Sequence, residues 1–293
     1  MKKNGNGNAR LDVLKTYKIY INGQYPRTES GRYYPLMNGS KTPLANVCLC
    51  SRKDARDAVL AARGAFSGWG TRKAFNRGQI LYRIAEMLEQ RKAEFIDELS
   101  RQGQTPAAAK KECADAIDRL VYFAGWADKY QQVFSSVNPV NAPYFNFSLL
   151  EPTGVISIIA PEESALLGLV SLVAPAICGG NTCVVLASRS KPLSAVTFAE
   201  VLGTSDLPAG VVNILTGSRE ELLPHLTSHM DVNAVVYAGD SAEEISLTQT
   251  NCALNVKRFS KHDVSDWAAP ALEDPYLITE LQEVKTTWHP IER

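Results

Sequence analysis

The fold turns on one stretch, GVISIIAPEESALLGLVSLVAPAICGGNTCVVLASR, residues 154–189. A β-branched apolar run leads to Pro161, then to a long apolar segment, then to a Gly-Gly-Asn turn and a second β-branched run. Short, continuously apolar strands flanking a helix-length apolar segment are the pattern of a parallel sheet buried on both faces. A nucleotide-binding unit begins this way. Two residues break the pattern: Glu162 and Glu163 stand where such folds place neutral hydrogen-bonding groups beside an anionic ligand.

The same rhythm continues downstream. Strands are expected over 154–160, 182–187, 211–215 and 233–237, with helices over 164–178, 192–203 and 219–227. This alternation predicts an α/β protein, a Rossmann-like parallel sheet with flanking helices. Upstream, YKIYINGQYPRTESGRYYPL reads as a β-hairpin about Asn22-Gly23. Helices are expected over 53–67, 73–102 and 106–131, the first opened by Asp54 and the last by Pro106 after Thr105. A Pro- and Asn-rich linker, Val137–Pro143, precedes a strand-like Tyr144–Leu150, and LITELQEVKTTWHPI after Asp274-Pro275 is strand-like too. The expected organisation is a disordered tail over 1–16, a hairpin and helices over 17–136, and a Rossmann-like core over 154–275. Residues 137–153 and 276–293 would form a separate small β element.

Composition narrows the function. The 293 residues are 45% hydrophobic and 21% charged, with a formal net charge of zero, which leaves no basic footprint for nucleic acid and no polybasic handle for a membrane. The longest apolar run, Ala165–Cys178, is too short to span a bilayer. MKKNGNGNAR has no apolar segment behind its lysines, so a cytoplasmic location is expected. The six cysteines form no CxxC pair and the four histidines no metal-ligand spacing, so reduced thiols and no metal are expected.

Taken in order, YINGQY, AFSGW, RGQILYRIAEMLEQR, YFAGWADK, EPTGVISIIAP, APAICGGNTCVVL, DLPAGVVNILTG and VNAVVYAGDS resemble the N-terminal and cofactor-binding parts of an aldehyde dehydrogenase, from about Tyr17 to about Trp267. The resemblance implies a Rossmann-like domain for NAD(P), a catalytic domain with a nucleophilic Cys, and a small β oligomerisation element. The family's Gly-Gln-x-Cys motif and its Leu-Glu-Leu-Gly-Gly segment, which carries the general base, have no counterpart here. A covalent mechanism needs an activated thiolate with a base in reach. Cys252 comes too early in the family order and reads as a structural thiol. No catalytic residue is therefore assigned.

The family's remaining motifs are altered. Its Pro-Trp-Asn-Phe-Pro aligns with Pro161-Glu162-Glu163-Ser164-Ala165, which puts Glu163 in place of the oxyanion-stabilising Asn. Glu162, Glu163 and Ser164 are expected instead to cap the helix that follows. Lys-Pro-Ser-Glu, implied to hold the adenosine ribose, aligns with Ala187-Ser188-Arg189-Ser190. The Phe-Thr-Gly-Ser loop becomes Tyr237-Ala238-Gly239-Asp240, with Glu244 in place of a later Gly, and Gly217-Ser218-Arg219 loses the second of two paired glycines. Pro161, Glu162, Glu163, Ala187, Arg189, Gly217, Gly239 and Asp240 thus mark a vestigial cofactor site with weak or no affinity for NAD(P), unless Arg189 or Arg219 pairs with phosphate. Residues Asp263–Pro275 are expected to cover the face that a catalytic domain would otherwise bury.

The function expected from this is a non-catalytic structural or regulatory subunit. Its partner is a full-length aldehyde dehydrogenase or a second copy, engaged through the hairpin and the C-terminal strand Leu281–Trp288. Two alternatives stay open: a nucleotide- or anion-sensing module near Gly239 and Arg189, and an NAD(P)-dependent aldehyde oxidoreductase active only with a partner chain.

Overall fold

The computed structural model describes residues 14–39 and 42–291. The tail expected over 1–16 lies outside the described residues as far as position 13, and at its other end Thr16 is already in a strand. Strands β1 (Thr16–Tyr17), β2 (Tyr33–Leu36) and β3 (Ala45–Cys48) form a small sheet in the order β1-β3-β2. The Asn22-Gly23 turn forms with both residues at positive φ, 51° and 74°, and Ile21 and Gln24 exchange backbone hydrogen bonds of 3.0 Å. Its arms do not extend into a long hairpin. Ile19 and Tyr20 are buried, and Tyr20 exchanges backbone hydrogen bonds with Ile214 of the main sheet.

Five helices follow: α1 (Arg52–Gly70), α2 (Ala74–Gln90), α3 (Lys92–Arg101), α4 (Pro106–Trp126) and α5 (Tyr130–Phe134). A Ser51–Asp54 capping box opens α1, and the Thr105 hydroxyl caps α4. The single helix expected over 73–102 breaks at Arg91, whose guanidinium is held by Glu94 and Glu200. The helix expected to reach 131 ends at Trp126.

After β4 (Ser136–Asn138) and β5 (Tyr144–Pro152) the strand–helix alternation begins. It runs β6 (Val155–Ile159), α6 (Leu167–Cys178), β7 (Thr182–Leu186), α7 (Leu193–Gly203), β8 (Val212–Leu215), α8 (Arg219–Ser228), β9 (Ala234–Ala238), α9 (Ala242–Leu254) and β10 (Arg258–His262). The five strands are parallel, in the order β10-β9-β6-β7-β8. The sequence had not marked β10: RFSKH carries three cationic or imidazole side chains and lies at the sheet edge, where burial does not demand an apolar run.

The two faces of the sheet separate by residue parity. Ile156, Ile158, Cys183 and Val185 pack with α2, α4, α6 and α7, while Val155, Ile159, Val184 and Leu186 pack with α1 and α8. Every residue of β6, β7, β8 and β9 is buried, which is why these strands read as mostly apolar runs, broken only by Ser157, Thr182, Asn213 and the Tyr237 hydroxyl.

The chain ends in a short helix, α10 (Tyr276–Thr279), and a long strand, β11 (Gln282–Pro290). Strand β11 pairs antiparallel with β5 from Gln282↔Pro152 to Pro290↔Tyr144, giving a second sheet in the order β11-β5-β4. The strand expected over Leu281–Trp288 thus begins one residue later and continues two further. The Asn22-Gly23 turn has no place in this sheet; it belongs to the edge of the parallel one.

The segment 263–275 lies over α6. Trp267 is 6% exposed, its backbone oxygen accepts from Arg119 Nη2 at 3.3 Å, and Val264, Ala268 and Leu272 pack against the same core, whereas Pro270 is exposed. A Cβ on Gly168 would come within 3.3 Å of the Trp267 ring, so the indole uses the space that glycine leaves. Truncating this ring, Trp267→Ala, is expected to cost about 3–5 kcal/mol, measured as a shift in the urea midpoint with an unchanged slope.

Candidate functional site

In an open parallel sheet, ligands bind outside the carboxyl ends of the strands, where the strand order reverses. Here the chain passes from β6 outward to β7 and β8, then crosses back to β9 on the other side of β6. The reversal places Ala160-Pro161 beside Ala238-Gly239. A cleft of about 330 Å³ opens at this point, lined by Pro161, Glu162, Glu163, Arg219, Gly239 and Asp240 on one side and by His262, Asp263 and Trp267 on the other.

Arg219 occupies the centre. Its Nη2 donates to the carbonyl oxygens of Ala160, at 2.5 Å, and Ala238, at 3.3 Å, tying the ends of β6 and β9 together. Its Nη1 pairs with Glu244 Oε2 at 3.3 Å and its Nε lies 3.6 Å from Glu162 Oε1. The guanidinium lies over the Tyr237 ring, and the Tyr237 hydroxyl donates to Glu244 Oε2 at 2.7 Å. A Cβ on Gly239 would sit 2.9 Å from that hydroxyl and 3.2 Å from Arg219 Nη1. The close approach that glycine allows is therefore used by the chain's own side chains.

Glu162 does not cap α6, contrary to the sequence expectation. Its carboxylate accepts from the backbone N–H groups of Arg189 and Ser190, both at 3.1 Å, and from the Ser188 and Ser190 hydroxyls, both at 2.8 Å. Burial alone would raise its pKa, but these four donors outweigh it and hold the carboxyl below the ordinary glutamate value. The free N–H groups of α6 go elsewhere: Leu166 and Leu167 donate to Glu112 Oε1, and Gly168 donates to Ser164 Oγ. Of the three expected capping residues only Ser164 takes the role. Glu163 is exposed, and its backbone oxygen accepts from Lys191 Nζ.

The other marked residues are placed as follows. Ala187 is buried at the end of β7, where its N–H donates to Leu215. Arg189 turns away from the cleft and lies over the Tyr34 ring, 5.1 Å from its centre, so Arg189 and Gly239 do not share a site. Gly217 packs on Leu222 and Cys50. Asp240 is an exposed rim residue of the cleft. Arg219 is the residue that sequence reasoning undervalued: a cation replacing a glycine, with two new glutamates nearby, was the available signal.

A second cleft, of about 400 Å³, between α8 and α9 is lined by Glu220, Glu243 and Glu244 besides Arg219, Leu223 and Leu247. The first turn of α9 carries Glu243 and Glu244, which satisfy the positive end of its dipole. These residues do not fit a dinucleotide. A pyrophosphate at the reversal would have to displace Arg219 from two carbonyls and meet Glu162, Asp240 and Glu244 as like charges, a cost of roughly a few kcal/mol.

All six cysteines are free and buried. Burial pushes the Cys113 thiol up to about 11 and Cys178 to about 12, and it raises Cys252 as well, so the thiolate needed for nucleophilic attack is disfavoured at each. Among the described residues no group of His, Cys, Asp and Glu is placed to hold a metal ion, and no helix is long and apolar enough to cross a membrane.

The fold defines an α/β protein of the Rossmann-like class. Residues 27–261 match the aldehyde dehydrogenase family, and the chain belongs to it. It is 34% identical over 259 residues to cytosolic 10-formyltetrahydrofolate dehydrogenase of Mus musculus, covering 86% of this chain and 28% of that protein. It is 32% identical over 247 residues to aldehyde dehydrogenase, cytosolic 1, of Elephantulus edwardii, covering 82% and 49%. An aldehyde dehydrogenase of Bacillus cereus, solved as its NAD+ complex, superposes with a TM-score of 0.80 at 25% identity, over 84% of this chain and 50% of that one. The chain thus spans half or less of the length of these relatives.

Two outcomes follow from the site. The depressed pKa of Glu162 means that its stabilising contribution is complete above the ordinary glutamate value of 4.5 and is lost as pH falls through its lower native value. Glu162→Gln should therefore cost about 1–2 kcal/mol at neutral pH, a gap that narrows in urea titrations repeated at progressively acid pH. With the thiols buried, a chromogenic disulfide reagent should label the native chain slowly at pH 8 and all six cysteines promptly in guanidinium.

Proposed function

We infer that this chain acts as a non-catalytic member of the aldehyde dehydrogenase family, a structural or regulatory subunit that assembles with a complete aldehyde dehydrogenase. The observation that carries this reading is the β11-β5-β4 sheet. Between β10 and β11 the chain has only residues 263–281, enough to cover α6 but not to build a catalytic domain. Yet β11 forms nine residue pairs with β5 and leaves its outer edge unpaired among the described strands. Val284 and Trp288 on β11, with Phe145 and Leu149 on β5, are exposed at 67%, 56%, 44% and 42%. An open strand edge with apolar side chains on the sheet favours pairing with another sheet.

The same reading takes NAD(P) binding to be weak or absent, because Arg219 and its carboxylates fill the reversal of the sheet. It places the chain in the cytosol, in keeping with the names of two of its relatives. Sensing of an anion at Gly239 is disfavoured by the acidic lining of that cleft.

The test is native mass spectrometry of the chain recovered from its own cells at endogenous level. A defined complex with a full-length aldehyde dehydrogenase, lost on Val284→Lys/Trp288→Lys, is the expected result. A monomer or a homo-oligomer alone would overturn the heteromeric reading.

A further inference from the structure

The two faces of α8 differ in charge. Toward α9 and the sheet reversal it meets the carboxylates described above. Toward α1 it borders a cavity of about 600 Å³ whose lining contains no carboxylate. Arg52, Lys53 and Arg56, from the first turns of α1, form one side, and His225 and His229 form the other with the Ser228 hydroxyl. In a chain with 31 basic and 31 acidic residues, such a wall is a local separation of charge.

The cations are not all neutralised. Lys53 Nζ pairs with Glu29 at 2.5 Å and Arg56 with its neighbour Asp57 at 2.8 Å, both exposed pairs that contribute little and exchange readily with solvent. Arg52 has no ion-pair partner among the described residues. The N-terminus of α1 is closed by its Ser51–Asp54 capping box, so the positive wall is made by the side chains. His229 Nδ1 accepts from the Asp231 N–H at 3.2 Å, which puts the ring proton on Nε2 as a donor. The floor is apolar: Ala55, Val59 and Leu226 are buried, and Met230, 72% exposed, stands at the margin. An inorganic ion would engage the rim and leave this floor bare. A cavity of this volume suits a small organic ligand.

We propose that the cavity between α1 and α8 binds a phosphorylated organic anion of nucleotide size, its phosphates held by Arg52, Arg56 and His229 and its apolar body laid on Val59, Leu226 and Met230. Arginine forks suit phosphate oxygens, and a thioether packs well against a planar ring. The site is independent of the crevice at the sheet reversal, so it requires nothing of the family's cofactor chemistry and nothing of the assembly proposed above.

The test is calorimetric titration of the full chain with ADP and, separately, with inorganic pyrophosphate. ADP should bind one to one and pyrophosphate at least about tenfold more weakly. Arg52→Glu/Arg56→Glu, both at exposed positions, should lower ADP affinity by more than about tenfold with an unchanged circular dichroism spectrum. Met230→Ala should weaken ADP but not pyrophosphate. Asp240→Arg, at the rim of the crevice, should leave ADP affinity unchanged. Absence of ADP binding, equal affinity in the Arg52→Glu/Arg56→Glu chain, or equal affinity for pyrophosphate would overturn the proposal. A marked gain on Asp240→Arg would move the site to the sheet reversal and overturn it as well.

Discussion

A buried amide lies at the joint between the parallel sheet and the β11-β5-β4 sheet. Asn181, fully buried after the Gly179-Gly180 turn, accepts from the Gly154 N–H at 2.9 Å and donates to the Leu281 carbonyl at 2.9 Å. Gly154 leads into β6, the central strand of the parallel sheet, and Leu281 leads into β11. Gln282 reinforces the joint by donating to Gly179 O at 3.2 Å, and a Cβ on Gly179 would come within 2.3 Å of that amide. Burying an amide without partners costs a few kcal/mol, so the position of the C-terminal strand is fixed by the same group that fixes the start of the nucleotide-binding unit. Two more asparagines act alike at other strand starts: Asn233 accepts from Val155 N–H, and Asn213 accepts from Asn22 N–H and donates to Gly210 O.

What the sequence disclosed depended on how local each cause was. Strands β6 to β9 were legible because both faces are buried, which favours mostly apolar runs, and the Asn22-Gly23 turn because two adjacent positive φ values demand those residue types. Strand β10 was not, since an edge strand need not be apolar. At the break, Arg91 is held by Glu200, more than a hundred residues away, as well as by the nearby Glu94, and no local propensity reports the first of these. The cap of α6 failed for a related reason. Glu162 and Glu163 are adjacent to the helix, but Glu112, on α4, reaches its N–H groups with better geometry and leaves Glu162 free to order the loop after β7.

The altered site residues were legible singly but not as a set. Read one at a time, Glu162, Asp240 and Glu244 are charges placed where an anion should go. In the structure Glu162 and Glu244 share one counterion, and only Asp240 and Glu163 remain exposed. Arg219, where the family resemblance implies a glycine, is held in place by the carboxylates around it. Removing Arg219 alone would leave Glu162 and Glu244 without their shared cation, which is costlier than the pairing is favourable.

The same cation also joins two strands of the sheet. At the reversal of strand order the ends of β6 and β9 each present a carbonyl, Ala160 and Ala238, to the Arg219 guanidinium. In a nucleotide-binding protein this position is reserved for a ligand. Here one guanidinium donates to both carbonyls, packs on Tyr237 and pairs with two glutamates, so the crevice has these hydrogen bonds made by the chain itself. A sheet joined in this way has the ends of two adjacent strands, β6 and β9, held by a side chain of the chain itself.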